Sequence, residues 1–268
     1  FLNGKPMKLR GMCLHQDCAS LGVAVPEEFW ERRLKTLKAI GCNAIRCSHN
    51  PPSPEFLNIC DSLGLLVIDE AFDKWKSGYY APFFDTCARQ DITDMVLRDR
   101  NHPSVIVWSI GNELSEAWDT SNEGVERARM LNGVVKSLDT TRPTILACQQ
   151  GFQDKFGDVT DLVGYNYLES RMIKDHQLHP NRKMLVTEAF VYYSGLRDNI
   201  VRDFVERNPW NFVEDNDFIA GSFVWAGVDY LGESSPWPAK GWCSCPFDMT
   251  LKERPQAAFY HAAWQPDK

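Results

Sequence analysis

The sequence predicts an α/β fold, a single (β/α)8 TIM barrel. Three observations predict it. Strand-like and helix-like segments alternate along all 268 residues, a length close to the roughly 250 residues typical of that fold. No Gly-rich nucleotide turn marks the alternative, a doubly wound open sheet. Two glutamates, Glu113 and Glu188, each close an apolar run that reads as a buried strand, Val105 to Glu113 and Met184 to Glu188. A carboxylate at the end of a strand buried on both faces is costly unless something pairs or uses it.

The elements follow in order. Lys8 to Cys13 reads as the first strand. A helix opens at Pro26, where a first-turn proline precedes Glu27 and Glu28 at the positive helix end, and it stops at Gly41. Asn43 to Cys47 is the second strand, Pro54 to Leu63 a helix closed by Gly64, and Leu65 to Asp69 the third strand. A long helix from Phe84 to Arg100 leads into the strand ending at Glu113. Asn122 to Leu138 is helical, Pro143 to Ala147 and Leu162 to Tyr167 are strands, and Met184 to Thr187 is the seventh. Leu196 to Val213 reads as a helix, Phe218 to Trp225 as the last strand and Arg254 to Trp264 as a closing helix. With no internal repeat and no Gly/Ser-rich linker, residues 1–268 read as one domain.

Composition narrows the function classes. Hydrophobic residues make up 44% and aromatic residues 12%, with a mean hydropathy of −0.35, as in a water-soluble chain with a sizeable core. A net charge of −7 argues against nucleic-acid binding, which needs clustered Lys and Arg. No run approaches the roughly 18 to 20 apolar residues of a membrane span, and the first residues lack a signal-peptide layout. Nine cysteines form no C-x-x-C pair and read as small buried residues rather than metal ligands or a disulfide framework.

If parallel strands close into a barrel, their C-terminal ends share one rim, and Glu113 and Glu188 can face each other across a pocket. Two facing carboxyl groups suffice to break a glycosidic bond. Glu113, after Trp108 and Ile110, suits a general acid; capping a helix or pairing with an Arg is the alternative role. Glu188 suits a nucleophile, with Arg46 and Tyr165 or Tyr167 as candidate donors. Asn112 can bind a sugar hydroxyl. His15 and His49 follow the first two strands and suit sugar hydroxyls, structural hydrogen bonds or a metal. Asp69, Glu70 and Asp73 suit a hydroxyl, a cation or salt bridges. Trp75, Trp225, Trp237 and Trp242 stand in or near the predicted rim, where indole can cover the C–H face of a sugar or simply pack. No G-x-S-x-G or His-paired Cys signature supports a different nucleophile.

Several segments resemble the catalytic barrel of glycoside hydrolase family two, the family of β-galactosidases, β-glucuronidases and β-mannosidases. They are the opening Phe1 to Pro6, Gly41 to Pro51, Leu66 to Phe72, Arg98 to Glu113 and Phe223 to Glu233. The resemblance implies a retaining, exo-acting β-glycosidase working by double displacement, with Glu113 as acid/base and Glu188 as nucleophile. It further implies that Arg46, His49, Asn112, Tyr165, Trp225 and Asp229 line the site with His15 beside them. Asp69 to Trp75, and Asp229 to Glu233 with Trp237 and Pro238, look most like bacterial β-galactosidases of polysaccharide degraders, which favours a periplasmic or secreted location. The segment after Glu70 lacks the Glu and His that bind magnesium in the best-known β-galactosidases, so no metal or other cofactor is expected. No Asn-x-Lys motif points to a glucuronide, and Thr187 to Phe190 is less typical than the segment around Glu113. The family normally carries β-sandwich domains ahead of the barrel, so the chain is expected to be an excised domain. A face left uncovered would then favour self-association, and activity would be weaker. A sugar-binding barrel with little catalysis is the competing expectation.

Overall fold

A computed structural model describes residues 2–118, 121–149, 152–190, 208–232, 234, 237–238 and 241–265. Eight strands pair in parallel with their sequence neighbours: β1 (Leu9–Leu14), β2 (Ala44–Cys47), β3 (Leu66–Glu70), β4 (Val105–Asn112), β5 (Thr144–Gln149), β6 (Leu162–Asn166), β7 (Met184–Phe190) and β8 (Ile219–Trp225). The last closes on the first, with Gly11 opposite Phe223, and makes the barrel the sequence predicts.

The described helices around it are α1 (Glu27–Ala39), α2 (Pro54–Leu63), α3 (Phe84–Asp99), α4 (Glu123–Leu138), α5 (Asp154–Gly157), α6 (Glu169–Leu178), α7 (Pro209–Glu214) and α8 (Pro255–Trp264). Helix α2 shows how local sequence sets the boundaries. The Ser53 hydroxyl accepts the Phe56 N–H at its start, Pro54 occupies the first turn, and Gly64 adopts the left-handed conformation that ends it. Of the predicted helix Leu196 to Val213, residues 196–207 lie outside the described residues, as do Phe1 and Glu233.

Strand alternation sorts side chains into two cores. Inward, Leu9, Ala44, Ile68, Val107, Ile145, Leu185 and Phe223 pack together inside the barrel. Outward, Met12, Ile45, Val67, Trp108, Leu146, Val163 and Val186 meet the helices. Trp75, expected near the rim, is fully buried in this outer core, its indole N–H donating to the Ile110 carbonyl at 2.8 Å.

Gly164 on β6 marks a close approach of β6 to β5 and β7 near the site. A Cβ there would lie 2.8 Å from the Leu146 carbonyl oxygen and 2.7 Å from Thr187 Oγ1. Gly164→Ala is therefore expected to lower unfolding stability by about 1–3 kcal/mol, measured by urea denaturation. An unchanged transition midpoint would show that β5 and β7 yield without cost.

Candidate active site

Two residues beyond the inward apolar layer, the same strand faces turn polar. Ala44 is followed at that spacing by Arg46, Ile68 by Glu70, Val107 by Ser109 and Leu185 by Thr187. The period of two carries all four to the C-terminal mouth of the barrel.

Arg46 is wholly buried at the centre of this layer. Its Nε and one terminal nitrogen donate to Glu70 Oε2, at 3.1 and 2.8 Å. The other terminal nitrogen donates to Glu188 Oε1 at 2.9 Å and to the Thr187 carbonyl at 3.1 Å. The remaining N–H reaches Asn112 Oδ1 at 2.9 Å. All five guanidinium hydrogens are thereby used. Tyr167 donates its hydroxyl to the second oxygen of Glu188 at 2.7 Å. Burial, followed by the Glu188 charge, pushes the Tyr167 phenol far up, so it remains a donor.

Glu70 also accepts from Ser109 at 2.7 Å and lies 2.6 Å from His49 Nδ1. Burial opposes its charge, but Arg46, His49 and Ser109 outweigh burial and hold its pKa at about 2. For His49, burial favours the neutral ring, yet Glu70 prevails and the pKa rises. His49 Nε2 stands 3.7 Å from Glu188 Oε1. The neighbouring Asp69 faces the other way. Burial and then the Asp99 charge raise its pKa well above the carboxylate range.

Glu113 occupies the rim directly after β4, with φ of 46° and its backbone N–H bonded to the Ala147 carbonyl on β5 at 2.9 Å. A left-handed non-glycine residue is uncommon and is held by its surroundings. Asn166 on β6 donates to Glu113 Oε1 at 3.2 Å and to Asn112 Oδ1 at 3.0 Å, and its own oxygen accepts from Thr187 at 2.6 Å. Burial first and the Glu188 charge second raise the Glu113 pKa, against the opposing pull of Asn166, Lys74 and His49.

Lys74 Nζ lies 2.8 Å from Asp73 Oδ1 and 3.6 Å from Glu113 Oε2. Asp73 also accepts from Asn112 Nδ2 at 2.9 Å. Among the described residues, no group of three or more His, Cys, Asp or Glu is placed to hold a metal ion. These residues do not fit a magnesium site.

Trp225, at the end of β8, stacks on His49 with centroids 5.0 Å apart and planes 14° apart. His15 packs edge-on against both and lies 4.1 Å from the Tyr230 ring. Burial, then the His49 charge, lowers the His15 pKa to about 3, so its ring is neutral. Trp242 stacks behind Tyr230, whereas Trp237 is exposed.

The structure gathers Arg46, His49, Asn112, Glu113, Glu188, Trp225 and His15 at one mouth and corrects two other assignments. Tyr165 points outward, its hydroxyl bonded to Asp175 on α6 at 3.0 Å. Tyr167 takes its place because a φ of 57° swings the chain back over the rim. Asp229 is buried in a bidentate pair with Arg254, at 2.8 and 2.5 Å, and accepts the Cys245 N–H. It braces the connection after β8 rather than facing the pocket. Sequence reasoning missed Asn166, Thr187 and Ser109, whose signal was their inward position two residues beyond an interior residue.

A carboxyl whose folded pKa is depressed adds stability above its ordinary value, here 4.5, and loses it as pH falls toward about 2. Urea unfolding from about pH 6 down to about pH 2 should show a steeper loss for wild type than for Glu70→Gln. Parallel slopes would contradict the buried Glu70 charge.

Comparison with known proteins agrees with the barrel fold. The family model described as "Glycosyl hydrolases family 2, TIM barrel domain" matches residues 1–226. A β-galactosidase of Bacteroides ovatus, BoGH2A, is 36% identical over 89% of this chain and 36% of its own length. A glycosyl hydrolase family 2 structure from Bacteroides cellulosilyticus superposes with a TM-score of 0.84 at 39% identity, covering 98% of this chain and 33% of that one. Bacteroides uniformis β-glucuronidase 2, covalently bound to cyclophellitol-6-carboxylate aziridine, superposes with a TM-score of 0.85 at 27% identity, covering 100% of this chain and 36% of that one. The chain thus spans about a third of the length of these relatives.

Proposed function

The chain belongs to glycosyl hydrolase family 2, and from that premise we propose that its barrel hydrolyses terminal β-galactosides with retention at the anomeric carbon. The observation that carries the reading is the unlike environment of two carboxyl groups at one rim. Both oxygens of Glu188 are oriented by donors, Arg46 and Tyr167, whereas Glu113 is partly buried with a raised pKa and a single amide donor. Environments that push two carboxyl groups apart separate an acid from a nucleophile.

In the first step Glu188 attacks the anomeric carbon and the bond to the leaving oxygen breaks. Glu113 gives that oxygen its proton. In the second, Glu113 accepts a proton from water, the water oxygen attacks the same carbon, and the ester to Glu188 is released. The covalent adduct of the Bacteroides uniformis relative supports a covalent route. The β-galactosidase relative favours a galactoside over a glucuronide. The carbohydrate is the one partner the site calls for, and companion domains of the longer relatives would complete its surroundings.

A panel of aryl β-galactoside, glucuronide, mannoside and glucoside tests this reading. Galactoside turnover should dominate, fall about 10²–10⁴-fold in Glu113→Gln and vanish in Glu188→Gln. A 2-fluoro galactoside should esterify Glu188, seen by peptide mass. Turnover without that label would overturn the double displacement, and sugar binding without turnover would favour a binding barrel. Because the acid works protonated, kcat/KM should decline as pH rises through the raised Glu113 pKa, and Glu113→Gln should flatten that decline.

Tyr167→Phe removes a hydrogen bond to a charged group, worth roughly 1.5–3 kcal/mol, so kcat/KM should drop by about tenfold or more. Tyr165→Phe should fall far less. The opposite ranking would return Tyr165 to the site.

A further inference from the structure

The ladder between β6 and β7 shifts register beside the two carboxyl groups. Tyr165 pairs with Val186 but Asn166 with Glu188, so the pairing passes over Thr187. Simple alternation turns consecutive side chains to opposite faces, and a bulge re-aims one of them. Thr187 and Glu188 accordingly both serve the mouth of the barrel. Glu188 meets Arg46 and Tyr167, while the Thr187 hydroxyl donates to Asn166 Oδ1 at 2.6 Å.

That hydroxyl is held from several sides. Gly164 on β6 leaves room for it, since a Cβ there would lie 2.7 Å from Thr187 Oγ1 and 2.8 Å from its methyl carbon. The Thr187 carbonyl accepts from Arg46 at 3.1 Å and from the Cys13 thiol at 3.3 Å, which fixes the backbone from which the side chain projects. Thr187 and Asn166 are both wholly buried, so water does not replace the bond if the hydroxyl is removed.

The Asn166 amide passes the contact on. An amide has one accepting end and one donating end. With its oxygen committed to Thr187, its nitrogen donates to Glu113 Oε1 at 3.2 Å and to Asn112 Oδ1 at 3.0 Å. Without the Thr187 proton the buried oxygen is left unpaired, which penalises the orientation that keeps the N–H on Glu113.

We propose that Thr187 is a positioning residue for the acid/base glutamate, its hydroxyl acting through Asn166 to hold an N–H on Glu113. The strand that supplies the nucleophile thereby also steadies the second carboxyl group. This role rests on the reading of Glu113 as acid and deepens it by tying both carboxyl groups to adjacent residues of one bulged strand.

The sign of the effect follows from the donor. An N–H on Glu113 favours its ionised form, against the burial and the Glu188 charge that favour the protonated one. Among the described residues, the charged or titratable groups that face Glu113 are Glu188 on β7, Lys74 after β3, His49 after β2 and Tyr167 after β6. Replacing Thr187 removes none of them.

Titration of Glu113 tests the role without requiring turnover. With isotope-labelled glutamate carboxyls followed by NMR, the Glu113 signal is the one lost in Glu113→Gln. Thr187→Val should move its midpoint to higher pH by about half a pH unit or more, and Thr187→Ser should return it. Thr187→Ala makes the same test should valine prevent folding. Asn166→Ala should also raise the midpoint, and adding Thr187→Val to it should change nothing further, because a residue acting through a partner has no effect once that partner is gone. In active chains the alkaline limb of kcat/KM should move with the midpoint. An unmoved midpoint in Thr187→Val, or an equal shift with and without Asn166, would overturn the positioning role while leaving the proposed function intact. The expected shifts in a chain that turns over no galactoside would uphold the contact and sink the proposed function.

Discussion

The mouth of the barrel is organised around one guanidinium. Arg46 has no exposed surface, and a buried cation without partners would cost several kcal/mol or more. It is tolerated because each of its five hydrogens meets an oxygen, two on Glu70, one on Glu188, one on Asn112 and one on the Thr187 backbone. These contacts reach β3, β4 and β7 from β2, so one side chain fixes the mutual position of four strand ends. The planar fork also sets where the Glu188 carboxylate points, which a lysine could not do. Glu70 supplies a nearby negative charge, and His49, its pKa raised by Glu70, adds a second positive group.

That arrangement leaves Glu113 deliberately apart. It follows directly on β4 yet is not among the hydrogen-bond partners of Arg46, and its backbone is left-handed just after Asn112. Asn166 bridges the two halves. Its amide donates to Glu113 and to Asn112 while its oxygen is held by Thr187, which settles the amide's orientation by satisfaction of every partner. The two carboxyl groups thus share a hydrogen-bonded frame, and only Glu188 is hydrogen-bonded to Arg46. Burial, with the Glu188 charge nearby, is what favours the protonated form of Glu113.

Much of this was readable in the chain. Alternating apolar runs and helix stops gave the eight strands, because parallel strands buried on both faces and capped helices both leave strong local signals. The ends of those strands gave Arg46, Asn112, Glu113 and Glu188. What alternation cannot foresee is a backbone leaving the extended region. Counting by two put Tyr165 and Tyr167 on one face, whereas a φ of 57° at Tyr167 separates them and sends Tyr165 to Asp175. Asp229 illustrates a different blind spot. Its partner Arg254 is 25 residues away, and a bidentate pair across a long connection leaves no periodic trace. Asn166 and Thr187 were visible in principle, since each stands at an inward position above the apolar layer, but a neutral amide and a hydroxyl carry no charge to draw attention.

The pocket is unlike on its two sides, and that asymmetry decides how a sugar can lie in it. The side built by β8 and β1 is aromatic, with Trp225 flat on His49, His15 at their edges and Tyr230 backed by Trp242. The floor built by β2, β3, β4 and β7 is charged and fully hydrogen-bonded. A pyranose has an apolar C–H face and a rim of hydroxyls, so a ring seated as proposed meets aromatic surface with the former and the polar layer with the latter. Inverting it would press hydroxyls against indole, where they find no partner. The same contact that pairs Asp229 with Arg254 steadies the connection carrying Tyr230, so the aromatic wall keeps its distance from the floor. Under the proposed function, the orientation of the ring, and hence the side from which Glu113 would meet the leaving oxygen, would follow from a pocket whose halves are assembled by different forces.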